Sequence, residues 1–175
     1  VFADITGISS REIPLKSDFS IDPEDYYNAE GTVFIANPNA PTGIPLSLAQ
    51  IEGILQNNPG NMVVIDEAYV DFGTESAVPL TKKYDNLLVT QTFSKSRSMA
   101  GMRIGFAIGS EKMIKYLNDV KFSINSYTMN PLTQLCGAEA VKDADYFYET
   151  TAKIAETRED AKKRLTALGF RFPDA

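Results

Sequence analysis

The run Met62-Val63-Val64-Ile65 is apolar at every position and stops abruptly at two carboxylates, Asp66-Glu67. A strand with one wet face alternates apolar and polar residues, so an unbroken run belongs to a strand covered on both faces, as in a parallel sheet between helices. The neighbouring segments agree. Thr32-Val33-Phe34-Ile35-Ala36 is β-branched and aromatic and enters the turn-rich Asn37-Pro38-Asn39-Ala40-Pro41-Thr42-Gly43. Leu87-Leu88-Val89-Thr90 is a third strand, and Ile104-Gly105-Phe106-Ala107-Ile108-Gly109 a fourth. Between the first two, Leu48, Ile51, Ile54 and Leu55 recur at helical spacing, with Ser47 as N-cap, Gln50 at the capping-box position and Asn57-Asn58-Pro59-Gly60 as the stop. Further helices are predicted over 111–121, 131–142 and 146–168, the last closed by Gly169 in a left-handed cap. The expected fold is α/β, three-layered α/β/α with a mostly parallel sheet.

A chain of 175 residues suits one domain with its own core, and it carries no internal repeat, low-complexity tract or long linker. Its 17 basic and 23 acidic residues give a dispersed net charge of −6, which disfavours nucleic-acid binding. The one cysteine, Cys136, makes no internal disulfide; its apolar helical setting predicts a buried structural thiol and a cytoplasmic protein. No apolar run approaches the roughly 18–20 residues of a membrane span. With no histidine, Ser-His-Asp and Cys-His schemes and the commonest zinc ligand are excluded, so acid–base work falls to Lys, Asp, Glu or Tyr. Paired acids such as Asp143 and Asp145, or Glu24 and Asp25, read as solvated helix ends and not as a metal site. The glycine fingerprints of dinucleotide and phosphate loops are missing.

Three strands end at chemically active residues: Asn37 and Asn39, then Asp66 and Tyr69, then Thr92, Ser94 and Lys95. Ligand sites in open parallel sheets gather outside the carboxyl ends of the strands, so these three ends point to one pocket. Asp66, directly after an apolar run, is expected to be desolvated unless a cation or hydrogen bonds meet it. A helix cap or salt bridge is the plain alternative. The active one is pairing with a protonated pyridine nitrogen. Tyr69, otherwise an amphipathic packing residue, is placed to reach the same ring. Lys95 lies among the hydroxyls of Thr92 and Ser94, and Arg103 follows within a glycine-rich strand where a guanidinium needs a buried anion. Arg97 competes for that anion but is expected to face solvent. A lysine amine in such company suits Schiff-base chemistry with a phosphorylated aldehyde cofactor.

These residues, in Asn37-Pro38-Asn39-Ala40-Pro41-Thr42-Gly43, Val64-Ile65-Asp66-Glu67-Ala68-Tyr69-Val70-Asp71-Phe72, Thr92-Phe93-Ser94-Lys95 and Ala100-Gly101-Met102-Arg103-Ile104-Gly105-Phe106, resemble the fold-type I pyridoxal phosphate aminotransferases, most of all the histidinol-phosphate branch. The resemblance implies pyridoxal 5′-phosphate as cofactor. Lys95 is then the catalytic residue, bonded to the cofactor aldehyde and carrying the substrate proton. Asp66 keeps the pyridine nitrogen protonated, Tyr69 bonds the ring oxygen, and Thr92, Ser94 and Arg103 hold the phosphate. Many relatives carry asparagine where this chain has Ala40; Asn39 is the nearest substitute, with Asn37 behind it. The resemblance further implies amino and keto acid substrates, with histidinol phosphate and 2-oxoglutarate first among them, and a homodimer at full length. It makes this chain a central piece, with 1–145 in the large cofactor domain and 146–175 leading into a smaller one. It also implies that such a piece is inactive by itself and binds the cofactor weakly or not at all. An aromatic amino acid aminotransferase, an amino-acid phosphate decarboxylase and, outside catalysis, an interaction domain that has kept only the fold are the alternatives.

Overall fold

The computed structural model describes residues 2–174. Four strands, β1 (Val33–Ala36), β2 (Val63–Asp66), β3 (Leu87–Thr92) and β4 (Gly105–Ile108), form one sheet in the order β1-β2-β3-β4. The first three are parallel and β4 returns antiparallel to β3, so the fold is α/β with a mostly parallel sheet, as the apolar runs predict. Among the described residues five α-helices accompany it: α1 (Phe2–Thr6), α2 (Leu48–Gln56), α3 (Glu111–Ile124), α4 (Pro131–Lys142) and α5 (Ala144–Ala167). No helix among the described residues is long and apolar enough to cross a membrane.

The core lies on one face of the sheet. Register aligns Val33, Val63 and Leu87 in one row and Ile35, Ile65 and Val89 in the next, and α2 sets Ile51, Ile54 and Leu55 against them. α2 begins where the sequence places it: Ser47 Oγ accepts from the Gln50 N–H, and the Gln50 side chain accepts from the Ser47 N–H at 2.8 Å. Two groups that helix formation leaves without partners are thereby satisfied. At its other end Asn58, fully buried, donates to the Ile54 and Tyr26 carbonyls and accepts from the Ala29 N–H. This amide ties α2 to the segment preceding β1. On the opposite face Val64 and Leu88 are buried, whereas Phe34 beside them on β1 is 70 % exposed.

Some helix boundaries differ from expectation. α3 continues to Ile124, and α5 starts at Ala144 because Asp143 ends α4 and caps α5 at once. Gly169 takes the left-handed conformation expected of it, at φ 85°. Cys136 is only half-buried, since α4 turns that side of the helix partly to solvent.

The loop after β2 hangs on a buried carboxylate. Glu67 is 1 % exposed and accepts three hydrogen bonds: from the Ala77 N–H at 2.6 Å, Ser76 Oγ at 2.7 Å and Gln91 Nε2 of β3 at 2.8 Å. A buried acid is tolerated where several donors meet its oxygens. Glu67→Ala strands those donors and is expected to cost roughly 1–3 kcal/mol. Ile65→Ala, which opens a cavity under α2, is expected to cost about 2–5 kcal/mol. Denaturant unfolding of both variants checks the pair.

Candidate functional site

Because β1, β2 and β3 run parallel, their carboxyl ends share one edge of the sheet, and antiparallel β4 begins at that same edge, with Gly105 opposite Thr92. Asn39 leaves this edge after β1, Asp66 and Tyr69 after β2, and Thr92, Ser94 and Lys95 after β3; Arg103 enters it before β4. All seven predicted residues therefore gather at one end of the sheet.

Register puts Ala36, Asp66, Thr90 and Ala107 side by side across four strands. Side chains alternate along a strand, so Asp66, Thr90 and Thr92 share a face, and the alanines beside them leave open space. Asp66 is accordingly exposed, correcting the expectation of a desolvated group. The buried carboxylate at this strand end is Glu67, whose donors come from the loop and β3. Asp66 accepts from the Ala68 N–H at 3.1 Å and, among the described residues, pairs with no cation.

Lys95 is pushed outward by its neighbours. Phe93 and Ser96 on either side are 8 % and 7 % exposed, and the turn is closed by Ser98 N–H donating to the Lys95 carbonyl and Met99 N–H to that of Phe93, both at 3.0 Å. The exposed Lys95 Nζ lies 5.0 Å from the centre of the Tyr69 ring. Such a cation over a phenol is worth about 0.5–1 kcal/mol at a wet site. Thr92 Oγ1 donates to the Ile104 carbonyl at 3.1 Å and accepts from the Ser94 N–H at 3.1 Å, with Ser94 Oγ 2.9 Å away. Two hydroxyls thus stand together at the start of the lysine turn.

The arginines exchange the environments expected of them. Arg103 is not inside a strand: it follows the short turn Ala100–Met102 in the left-handed region, at φ 56°, and is exposed. Its Nη1 donates to the Ala100 carbonyl at 3.1 Å. Arg97 does not face solvent. Its guanidinium lies 4.2 Å from the Phe147 ring centre and 5.3 Å from that of Phe93, and donates to the Ala140 carbonyl. Held between two rings, Arg97 fastens the lysine turn to α4 and α5. Arg103 keeps its place as the anion candidate through exposure, not through burial.

Asn39 Nδ2 donates to Thr42 Oγ1 at 2.8 Å within its own loop. Asn37, fully buried, bonds the Leu46 main chain through both ends of its amide, accepting from N–H at 2.7 Å and donating to the carbonyl at 3.4 Å. It braces the loop from inside and is not available to a ligand.

A cleft of about 460 Å³ opens between this loop and the segment after β2, lined by Asn39, Pro41, Tyr69, Phe72 and Arg158 among others. Asn39 and Tyr69 line it, whereas Asp66, Thr92, Ser94, Lys95 and Arg103 lie outside its wall. A second cavity, of about 350 Å³ beside Pro59, Lys83 and Asn86, sits at the amino ends of the strands and holds no predicted residue. Sequence reasoning missed Arg158 of α5, which donates to the Phe72 carbonyl at 2.9 Å. Its helix reads as a polar surface helix, and nothing in its spacing signals that contact.

Residues 2–175 match the family model for class I and II aminotransferases. The whole chain is 54 % identical to a histidinol-phosphate aminotransferase of Brachyspira hyodysenteriae and covers 50 % of it. Among solved structures, histidinol-phosphate aminotransferase from Clostridium acetobutylicum superposes with a TM-score of 0.84 at 26 % identity, over 96 % of this chain and 52 % of that one. The enzyme from Sinorhizobium meliloti, solved with pyridoxal-5′-phosphate, gives 0.79 at 25 % identity, over 93 % and 46 %. The chain spans about half the length of the curated relatives it matches. With its parallel sheet and its polar residues gathered at one edge, the chain belongs to the class I and II aminotransferase family.

Proposed function

We propose that the protein to which this chain belongs is a pyridoxal phosphate-dependent aminotransferase that moves an amino group between histidinol phosphate and 2-oxoglutarate or glutamate, in histidine biosynthesis. The observation that carries the reading is the free Lys95 amine standing over Tyr69 at the edge where Asp66, Thr92, Ser94 and Arg103 also gather. Names support the substrate: relatives from Brachyspira, Lactococcus and Clostridium that match along nearly the whole chain are histidinol-phosphate aminotransferases.

The residues fit the cofactor group by group. An exposed carboxylate without a cation, Asp66, suits a protonated ring nitrogen. The Tyr69 phenol suits the ring oxygen, with Asn39 as a second donor. Two adjacent hydroxyls, Thr92 and Ser94, and the exposed Arg103 guanidinium suit a phosphate. Lys95 suits the aldehyde. When bound, pyridoxal phosphate supplies an electron sink for the charge left on the substrate α-carbon.

The chain's own residues do the rest. Lys95 Nζ would hold the cofactor through its aldehyde and, when free, would take the proton from the substrate α-carbon and deliver it two atoms further along, on the other side of the amino nitrogen. With no histidine in the chain, this amine is its natural proton carrier. Asp66 holds the ring-nitrogen proton in place by charge. Tyr69 stabilises negative charge on the ring oxygen and packs beneath the amine. We place the enzyme in the cytoplasm as a homodimer and assign 1–145 to the large domain and 146–175 to the approach to a second one.

Incubating the full-length protein with 2-oxoglutarate and, in parallel, histidinol phosphate, phenylalanine or threonine phosphate tests the reading. Glutamate formed fastest from histidinol phosphate is expected, and Lys95→Ala abolishes it. Carbon dioxide from threonine phosphate, or preference for phenylalanine, contradicts the substrate assignment. Tyr69→Phe, which deletes one hydrogen bond, is expected to weaken cofactor binding by about 1–2 kcal/mol, roughly five- to thirty-fold in a fluorescence titration.

A further inference from the structure

Tyr69 is bracketed by two acids that both reach across to the strand and turn carrying Lys95. Two residues before it, buried Glu67 accepts from Gln91 Nε2 of β3 at 2.8 Å. Two residues after it, Asp71 Oδ2 accepts from the hydroxyl of Ser96, the neighbour of Lys95, across 25 positions of sequence. The two contacts differ in what they hold. Glu67 also receives Ser76 and Ala77 and serves its own loop, whereas Asp71 is an exposed residue whose side-chain hydrogen bond is to Ser96. Ser96 is 7 % exposed, so its hydroxyl is spent on this one carboxylate in a largely dry place, where a charge-assisted bond is strong.

The backbone ladder between β2 and β3 ends near here, with Glu67 N–H on the Thr90 carbonyl at 2.8 Å. Beyond it the two segments leave the sheet separately, one with Tyr69 and the other with Lys95. We propose that Asp71 and Ser96 form a latch that sets the position of the Lys95 amine against the Tyr69 ring, making both of them positioning residues for the cofactor-bearing lysine. The proposal rests on the reading of Lys95 given above. In its geometry the Ser96 hydroxyl donates to Asp71 while the exposed Lys95 beside it lies over Tyr69, 5.0 Å from the ring centre. Removing the latch loosens the Ser96 side of the lysine turn, which Arg97 still fastens to α4 and α5, and leaves the Asp71 carboxylate unpaired.

The full-length enzyme tests this with Ser96→Ala, Asp71→Ala, their double variant and Asp71→Asn, which keeps an acceptor oxygen. Pyridoxal phosphate affinity by fluorescence titration, and the rate at which Lys95 is reductively methylated in the cofactor-free protein, are read beside kcat and KM. Each of Ser96→Ala and Asp71→Ala is expected to weaken cofactor binding about tenfold, the scale of one hydrogen bond to a charged group. Each also changes the Lys95 methylation rate and lowers kcat with KM nearly constant. The double variant loses no more than either single one, and Asp71→Asn stays within about threefold of the wild type. Folded variants with unchanged affinity and unchanged Lys95 reactivity, an additive double variant, or Asp71→Asn as poor as Asp71→Ala would overturn the latch. Should Asp71→Ala fail to fold, Ser96→Ala and Asp71→Asn decide between them. If the wild-type protein carries no cofactor on Lys95, the functional reading falls together with the latch; if it does and the variants are indifferent, the latch falls alone.

Discussion

The parallel register of β1, β2 and β3 is the constraint on which the site depends. Parallel strands return through crossovers, so each arrives at the same edge and releases its next residues there. Residues that lie far apart in sequence, from Asn39 to Lys95, thereby reach the same edge without any long loop having to fold onto another. The same pairing imposes a requirement. Once the ladder ends, backbone groups and carboxylates near the last rung must find other partners or water. Glu67 answers it by burying its side chain among three donors, and Asp66 by remaining wet. Two adjacent acids at one strand end thus differ: one holds the loop, and the other stays exposed.

Much of this was legible in the sequence because the signals are local. A continuous apolar run marks β2, and a serine with glutamine three residues on marks the start of α2. The site residues follow from the strand ends. What was not legible depends on the direction of side chains across elements. A carboxylate after an apolar run gives no sign of which of two neighbours turns inward, and here β-strand alternation sends Glu67 in and Asp66 out. The arginines show the same limit. A short turn at Ala100–Met102 delays β4 until Gly105 and leaves Arg103 exposed, whereas Phe147 arrives from a helix fifty residues on to cover one side of the half-buried Arg97. Neither event has a local signature, and Arg103 remains a candidate through its exposure, which the sequence did not signal.

Two regions stand side by side at this end of the sheet. In the function proposed, the groups at the sheet edge answer to a ring nitrogen, a ring oxygen, a phosphate and an aldehyde. The neighbouring cleft, bounded by Tyr69, Phe72 and Arg158, is joined to them only through Tyr69 and Asn39. Tyr69 is consequently the residue where the two regions meet, with one side lining the cleft and its ring beneath the Lys95 amine.

The central claim is that Lys95 is the residue that carries the cofactor. Reducing the full-length protein with borohydride after loading with pyridoxal phosphate, then mapping the peptides by mass spectrometry, measures this directly. The account predicts a single pyridoxyl group on Lys95. A group on another lysine such as Lys83 or Lys112, or none on any lysine of a folded, loaded protein, would contradict it.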